Sequence, residues 1–239
     1  MIKSDDSAIA IIPARSGSKR LPNKNIRRLA GIPLLVRAIH SAQESECFTH
    51  IYVDTDSEDY ADLALQSGAK VPFLRDEYRD DHTPVSLATC RFITRLQESG
   101  VADFSTVVQL MANCPLRRAS DIQEHMHHFR GIESAFQISG FSIGFANPWW
   151  AHTVSASGIA SPLFPEALKK RSQDLAKTLI PSGAIWIADS TELLPQQTFY
   201  GKDFGICELD WISAIDIDEE EDWKFAEFAM KVRAERLTC

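Results

Sequence analysis

Apolar residues recur along this chain in two rhythms. AIAIIPA (Ala8 to Ala14) is apolar throughout and of strand length, and HIYVDTD (His50 to Asp56), STVVQLMAN (Ser105 to Asn113) and GAIWIAD (Gly183 to Asp189) repeat the type. Between them, PLLVRAIHSAQES (Pro33 to Ser45), SEDYADLALQSGA (Ser57 to Ala69), TPVSLATCRFITRLQESG (Thr83 to Gly100) and RASDIQEHMHHFRG (Arg118 to Gly131) carry apolar residues at helical spacing. Pro33 suits a first helical turn, and Ser57 is a good N-cap. Apolar strands separated by helices are covered on both faces, which predicts an α/β fold with a doubly wound, mostly parallel sheet. Such sheets bind ligands at the carboxyl ends of their strands.

The rhythm breaks after ESAFQIS (Glu133 to Ser139). From Gly140 to about Leu168 the chain is rich in Gly, Pro, Ser and aromatic residues. Unstructured loops of that length are uncommon inside a domain, so residues 140–175 are expected to form an inserted β-rich lobe within a single domain spanning 1–239. Trp149 and Trp150 are placed on the two faces of one strand there and read as anchors of an oligomer interface. The last strand is expected at ISAIDID (Ile212 to Asp218), followed by the helix EEDWKFAEFAMKVRAE.

Composition narrows the class. The chain has 239 residues, 44 % hydrophobic and 24 % charged, with a formal net charge of -8. No apolar run approaches the ~20 residues needed to span a bilayer. Asp5 and Asp6 ahead of a short apolar run do not make a signal peptide. The five cysteines include no CxxC pair, which argues against a disulfide framework or a zinc site. A broad basic face for nucleic acid is missing. The expectation is a soluble, cytoplasmic protein that engages neither membrane nor nucleic acid.

Against this acidic background one segment stands out. IIPARSGSKRLPNKNI (Ile11 to Ile26) carries Arg15, Lys19, Arg20 and Lys24 without an acid, directly after the first strand. Ser16, Gly17 and Ser18 lie among them, so a tight turn whose N–H groups cradle an anion is expected, with the cations adding charge. The loop is neither GxxxxGK[ST] nor GxGxxG; the bland reading is a solvated basic loop. At the other end, Asp216 and Asp218 stand two apart on the expected strand and so on one face, where paired carboxylates suit Mg2+ bound with substrate phosphates. The bland reading there is an acidic first turn of the following helix. HMHH (His125 to His128) reads as a surface helix, and Cys114 as a small core residue. Together the two charged segments suggest a nucleoside triphosphate with Mg2+.

IAIIPARSGSKRLPNKNI, IYVDTDSEDYADLALQSGAKVPFLRDE, CPLR, RSQDL, PSGAIWI and SAIDIDEEEDW, in this order, resemble the CMP-N-acylneuraminate synthetases and their pseudaminic and legionaminic relatives. The resemblance runs from about Ala8 to Phe228. It implies a nucleotide-diphospho-sugar transferase type of α/β domain with a small inserted dimerisation lobe, acting as a homodimer. It implies CMP transfer from CTP to a nine-carbon 2-keto-3-deoxy sugar acid, with Mg2+ and release of pyrophosphate. By resemblance, Arg15, Ser16, Gly17, Lys19, Lys24 and Asn25 hold the nucleotide and its triphosphate, with Lys19 also catalytic. Arg75 and Ser86 fall in the nucleotide pocket, Arg171 and Gln173 read the sugar from the lobe, and Asp216 and Asp218 are the catalytic metal ligands. Met111, in MANCPLR, stands where sialic-acid members have a sugar-facing glutamine in QPTSPLR. RSQDL looks like the pseudaminic branch and PSGAIWI like the sialic branch, so the sugar stays open. Two alternatives also stay open: a cytidylyltransferase for another sugar acid or a polyol phosphate, and a non-catalytic CTP-binding homologue.

Overall fold

The computed structural model describes residues 7–80, 82–100, 104–142, 144 and 146–236. Its first strand, β1 (Ala8–Pro13), is buried along its whole length, as a run of apolar residues with a strand on either side must be. A short ribbon, β2 (Arg28–Leu29) and β3 (Ile32–Pro33), leads into α1 (Leu34–Glu44). Then come β4 (His50–Asp54), α2 (Glu58–Gln66), α3 (Val85–Glu98), β5 (Thr106–Gln109), α4 (Ala119–Gly131) and β6 (Phe136–Phe141). A hairpin, β7 (His152–Val154) with β8 (Ala160–Pro162), precedes β9 (Ile180–Asp189), α5 (Ser190–Gln196), β10 (Gly205–Glu208) and α6 (Glu220–Arg236).

The main sheet has the order β10-β6-β9-β5-β1-β4. β1 pairs in parallel with β4 and β5, and β10 with β6, while β9 runs antiparallel to both β5 and β6. Alternate residues of β1 feed two cores. Ala8, Ala10 and Ile12 join Leu35 and Ile39 of α1 and Ile122, Met126 and Phe129 of α4. Ile9 and Ile11 meet Phe92, Ile93 and Leu96 of α3 on the other face. Between Ile138 and Ser139 the pairing of β6 with β9 shifts register, since Ile138 faces Trp186 but Ser139 faces Ser182. The bulge puts Gly183 against Met111, close to the carboxyl end of β5.

The structure corrects three expectations. Ile212–Asp218 is not a strand: the chain turns at Trp211 to Ala214 and then runs outside helix and strand to the start of α6, tied by Ile217 N–H to Asn113 O. Its apolar residues Ile212, Ile215 and Ile217 enter a third core with Leu21, Leu29, Leu116 and Trp223, and the sheet edge goes to β10, too short and Gly-led to stand out in the pattern. The HMHH helix is not wholly a surface one. His125 is fully buried with its Nδ1 2.8 Å from the Asp121 carbonyl, and His128 Nδ1 lies 2.6 Å from Gln137 Oε1. Trp149 and Trp150 lie in a 3-10 turn (Pro148–Trp150), where Pro148 sets the turn, and not on two faces of a strand. Cys114 lies fully buried in the first core.

The segment before α6 is tied down by a buried polar relay. Ser213 Oγ donates to Asp121 Oδ2 at 2.7 Å and accepts from Arg233 Nη2 at 2.8 Å, linking the start of α4 to α6. Asp222 accepts from the N–H groups of Asp218 and Glu219 at 2.9 and 2.8 Å, so this acidic residue caps the start of α6. Removing the Ser213 hydroxyl leaves buried polar partners short of a bond. Ser213→Ala should therefore cost about 1–3 kcal/mol, read as a lower urea midpoint at an unchanged slope.

Candidate nucleotide and cation site

A cavity of about 630 Å3 opens at the carboxyl ends of β1 and β5. Arg15, Lys19, Arg20 and Lys24 line it together with Asn25, Arg75, Met111, Asn113, Asp216 and Asp218. The basic loop is shaped from within: Arg15 Nη1 donates to Gly17 O at 2.8 Å, and the largely buried Asn25 donates from Nδ2 to Arg15 O at 3.2 Å. Asn23 takes the left-handed backbone (φ 55) that opens the short 3-10 turn at Lys24.

The two ends of the chain meet here. Lys24 Nζ lies 2.5 Å from Asp218 Oδ1 and donates to Ile217 O at 2.9 Å, and Arg20 also pairs with Asp218. Ile217 is buried in the third core, and its N–H donates to Asn113 O at 2.9 Å. With Ile217 pointing inward, Asp216 and Asp218 both turn to Asn113, whose Nδ2 donates to Asp216 and lies 3.4 Å from Asp218. The one-face arrangement expected of a strand thus arises from a segment outside the sheet.

The two acids differ electrostatically. Asp216 is open to the cavity but walled by protein, and this crowding together with the Asp218 charge pushes its pKa up to about 6. Burial would raise Asp218 too, but the hydrogen bond and charge of Lys24, with Arg20, outweigh it and hold Asp218 below the ordinary range. On the opposite wall Arg75 Nη2 donates to Asp54 Oδ2 at 2.6 Å; the two residues are 6 % and 1 % exposed. That pairing orients the guanidinium at the cavity wall. Cys114 is no nucleophile, since burial and the Asp216 charge drive its thiol well above its usual value.

Several expected site residues lie elsewhere. Ser16 and Gly17 are not on the cavity wall, where Ser18 stands instead. Ser16 N–H donates to Asp56 Oδ1 at 2.8 Å and Ser18 N–H to Ser16 O at 3.0 Å, so these amides stabilise the loop and form no open cradle. Ser86 is buried in the first turn of α3, while its neighbours Val85 and Ala88 reach the wall. Arg171 and Gln173 are exposed near the 3-10 turn Ser172–Asp174, off the wall, and Arg171 pairs with Asp174 at 2.9 Å.

A sequence profile described as cytidylyltransferase matches residues 9–155. The CMP-N,N'-diacetyllegionaminic acid synthase of Legionella pneumophila is 34 % identical over 96 % of this chain and 98 % of its own. The pseudaminic acid cytidylyltransferase of Campylobacter jejuni is 30 % identical over 95 % of this chain and 97 % of its own. The chain belongs to the cytidylyltransferase family. A CMP:2-keto-3-deoxy-manno-octonic acid synthetase solved with CTP has a similar fold, superposing with a TM-score of 0.68 at 17 % identity and covering 95 % of this chain and 99 % of that one.

Within this cytidylyltransferase fold, the polar wall residues given no role from the sequence include Tyr78, Asp80, His82, Thr83 and Asn113. Arg20 was visible as part of the basic run. Asn113 was not, since an amide after a buried strand carries no pattern of its own. Because Asp216 keeps its proton to a higher pH than an ordinary acid, its ionised form is lost as the pH falls through about 6. A carbon-13 titration of the cation-free protein should show one aspartate with a midpoint near that pH, absent in Asp216→Asn. Divalent-cation affinity should drop by about ten-fold per pH unit below it; an affinity flat from pH 7 to 5 would contradict the assignment.

Proposed function

We propose that this protein transfers CMP from CTP to a nine-carbon 2-keto-3-deoxy sugar acid of the sialic, pseudaminic or legionaminic type, releasing pyrophosphate. The observation that carries the reading is the juxtaposition of the loop cations with Asp216 and Asp218 inside one cavity, in a chain that belongs to the cytidylyltransferases. A triphosphate needs both, positive side chains for its oxygens and carboxylates for the metal that accompanies it.

In this reading Arg15, Lys19 and Arg20 receive the β- and γ-phosphates and take up the charge that gathers on pyrophosphate as it leaves. Lys24 stands between the triphosphate and Asp218. Arg75, held by Asp54, and the wall formed by Tyr78, His82, Thr83, Val85 and Ala88 enclose the nucleoside. Met111 and the adjoining β9 bulge face the sugar. The sugar's anomeric hydroxyl attacks the α-phosphorus and gives its proton to water, the bond to the bridging oxygen breaks, and pyrophosphate departs; the protein contributes orientation and charge rather than a covalent bond.

Mg2+ fits the acidic pair. Asp216 carries an uncompensated tendency to keep its proton, which a cation would relieve, and the donors are hard oxygens. Among the described residues no group of three or more His, Cys, Asp and Glu gathers, which suits a metal that shares its coordination between two carboxylates and substrate phosphates. When bound, the metal draws charge from the phosphate oxygens it touches.

The lobe supports a homodimer. Val154 and Ile159 of the hairpin region are 68 % and 67 % exposed, and Leu163 and Leu168 lie beside them in sequence with more than half or nearly half of their surface open. Covering that surface with a second copy would also give Arg171 and Gln173, which are off their own chain's cavity wall, a sugar to read across the interface. No helix among the described residues is long and apolar enough to cross a membrane, and CTP supply and the free described cysteines favour the cytoplasm.

The test is pyrophosphate release with CTP, Mg2+ and a panel of nine-carbon sugar acids. Asp216→Asn should keep its fold and lose turnover by a factor of about 100 or more, and Lys19→Ala should weaken CTP binding. Pyrophosphate release with none of these acids would defeat the substrate assignment; CTP binding without turnover would favour a non-catalytic homologue. A second experiment addresses the interface. Mixing inactive Arg171→Ala with inactive Asp218→Asn should restore up to about a quarter of the activity, because one site of each mixed dimer is whole; no recovery would place Arg171 at its own chain's site or at none.

A further inference from the structure

Asn113 stands between the two acids with its oxygen unused. It is 6 % exposed and lines the cavity. Its Nδ2 donates to Asp216 Oδ1 and lies 3.4 Å from Asp218 Oδ1, while its main-chain carbonyl accepts from Ile217 N–H at 2.9 Å. Its Oδ1 is covered from solvent and has no hydrogen-bond partner among the described residues. Leaving such an acceptor unpaired is costly, and native proteins rarely do so without a use for it.

We propose that Asn113 is a ligand of the divalent cation held by Asp216 and Asp218, its Oδ1 supplying a third protein oxygen once the carboxamide turns over. The inference rests on the cation reading above and adds a residue to it. A carboxamide carries donor and acceptor on opposite sides of one plane and exchanges them by a half-turn with little change of shape. Without a cation, two carboxylates select the N–H side. With a cation between them, that side would direct partial positive charge at the metal and compete for the oxygens the metal needs. The half-turn removes both conflicts and presents an amide oxygen, an ordinary ligand for a hard cation. It requires no main-chain movement, because the bond from Ile217 N–H is made to the Asn113 backbone carbonyl and holds the segment at the same height. It also explains how a site with two acids gains a further protein donor where no third His, Cys, Asp or Glu gathers among the described residues.

The test uses the full chain with CTP and Mn2+ in place of Mg2+, without a sugar acid, so that nothing turns over. Asparagine labelled with carbon-13 at the carboxamide reports direct ligation as a hyperfine coupling to Mn2+ in electron–nuclear double resonance. The expected result is such a coupling in the unsubstituted protein and its loss in Asn113→Leu, or in Asn113→Ser should the leucine variant not fold. Both variants should bind Mn·CTP on the order of 10- to 100-fold more weakly. Mn2+ that depends on Asp216 yet shows no carboxamide coupling assigned to Asn113 overturns this inference and leaves the two-carboxylate site standing. Mn·CTP binding indifferent to Asp216→Asn and Asp218→Asn overturns the cation site and this inference with it.

Discussion

An apolar seam holds this site together. Leu21, within the basic loop, and Leu29, just beyond it, are buried against Ile215, Ile217 and Trp223 from the last quarter of the chain. Neither segment belongs to the main sheet, so no strand pairing sets their distance. The seam does, and the polar contact above it, Lys24 to Asp218 at 2.5 Å, inherits its geometry. The Arg20 pair with Asp218 is more exposed still, and exposed ion pairs contribute little net stability. The order of cause therefore runs from buried aliphatic side chains to charge alignment, and a change in Ile217 would disturb the acids more than a change in Arg20. Arg27 strengthens the same closure from outside, with its guanidinium 4.0 Å over the Trp223 ring and paired with Glu220.

That arrangement gives the ligand-free site a balanced interior. Asp218 is neutralised by Lys24 and Arg20, and Asp216 is left with the amide of Asn113 and a raised affinity for a proton. A bound triphosphate would offer the loop cations stronger anions than Asp218, and a metal would offer the acids a stronger cation than an amide. Under the proposed reading, either exchange alone would leave one sign of charge unmatched in a walled cavity, so triphosphate and metal would be received best as one complex. The cavity wall follows the same economy, as Arg75 is already paired with Asp54 and needs no partner from the ligand to stay in place.

The sheet and its helices were legible because their cause is local. β1, β4 and β5 are apolar runs too consistent to be anything but buried strands, and α1 to α4 carry helical spacing. The Ile212 to Asp218 segment misled for an equally physical reason: alternation marks any segment with one apolar side, whether its neighbour is a strand or a helix such as α6. The acids came out on one side all the same, because Ile217 between them is buried in the third core and both acids meet Asn113. In the basic loop, charge showed which residues would meet an anion, but not which amides were already engaged. Asp56, forty residues away, takes the Ser16 N–H, and no local pattern announces that. Asn113 was hidden because its role lies in what stands opposite it.

The cavity wall at Met111 is built by a different means from the wall at Arg75. Arg117 is buried without an acidic partner in contact, and burial pulls its guanidinium down to about 10. Its Nη1 donates to Ala184 O at 2.7 Å and Met111 O at 3.2 Å, while Nε and Nη2 have no partner among the described residues. A buried cation bonded to main-chain carbonyls is an expensive fastening, and its location gives the reason for tolerating it. Ala184 sits in the β9 bulge and Met111 follows β5, so the guanidinium joins the two main chains just past the point where β5 and β9 cease to pair, at Gln109 and Trp186. Across the β6–β9 bulge itself the bridge is Ser139 Oγ, which donates to Ser182 O at 3.0 Å and accepts from Ile185 N–H at 3.0 Å. Gly183 packs beside the Met111 side chain, where an added Cβ would stand 3.4 Å from Met111 Cγ, in ordinary van der Waals contact. The wall at Met111 is thus set by backbone held from beneath, so an exchange of its side chain alters what the cavity meets without altering where the chain runs.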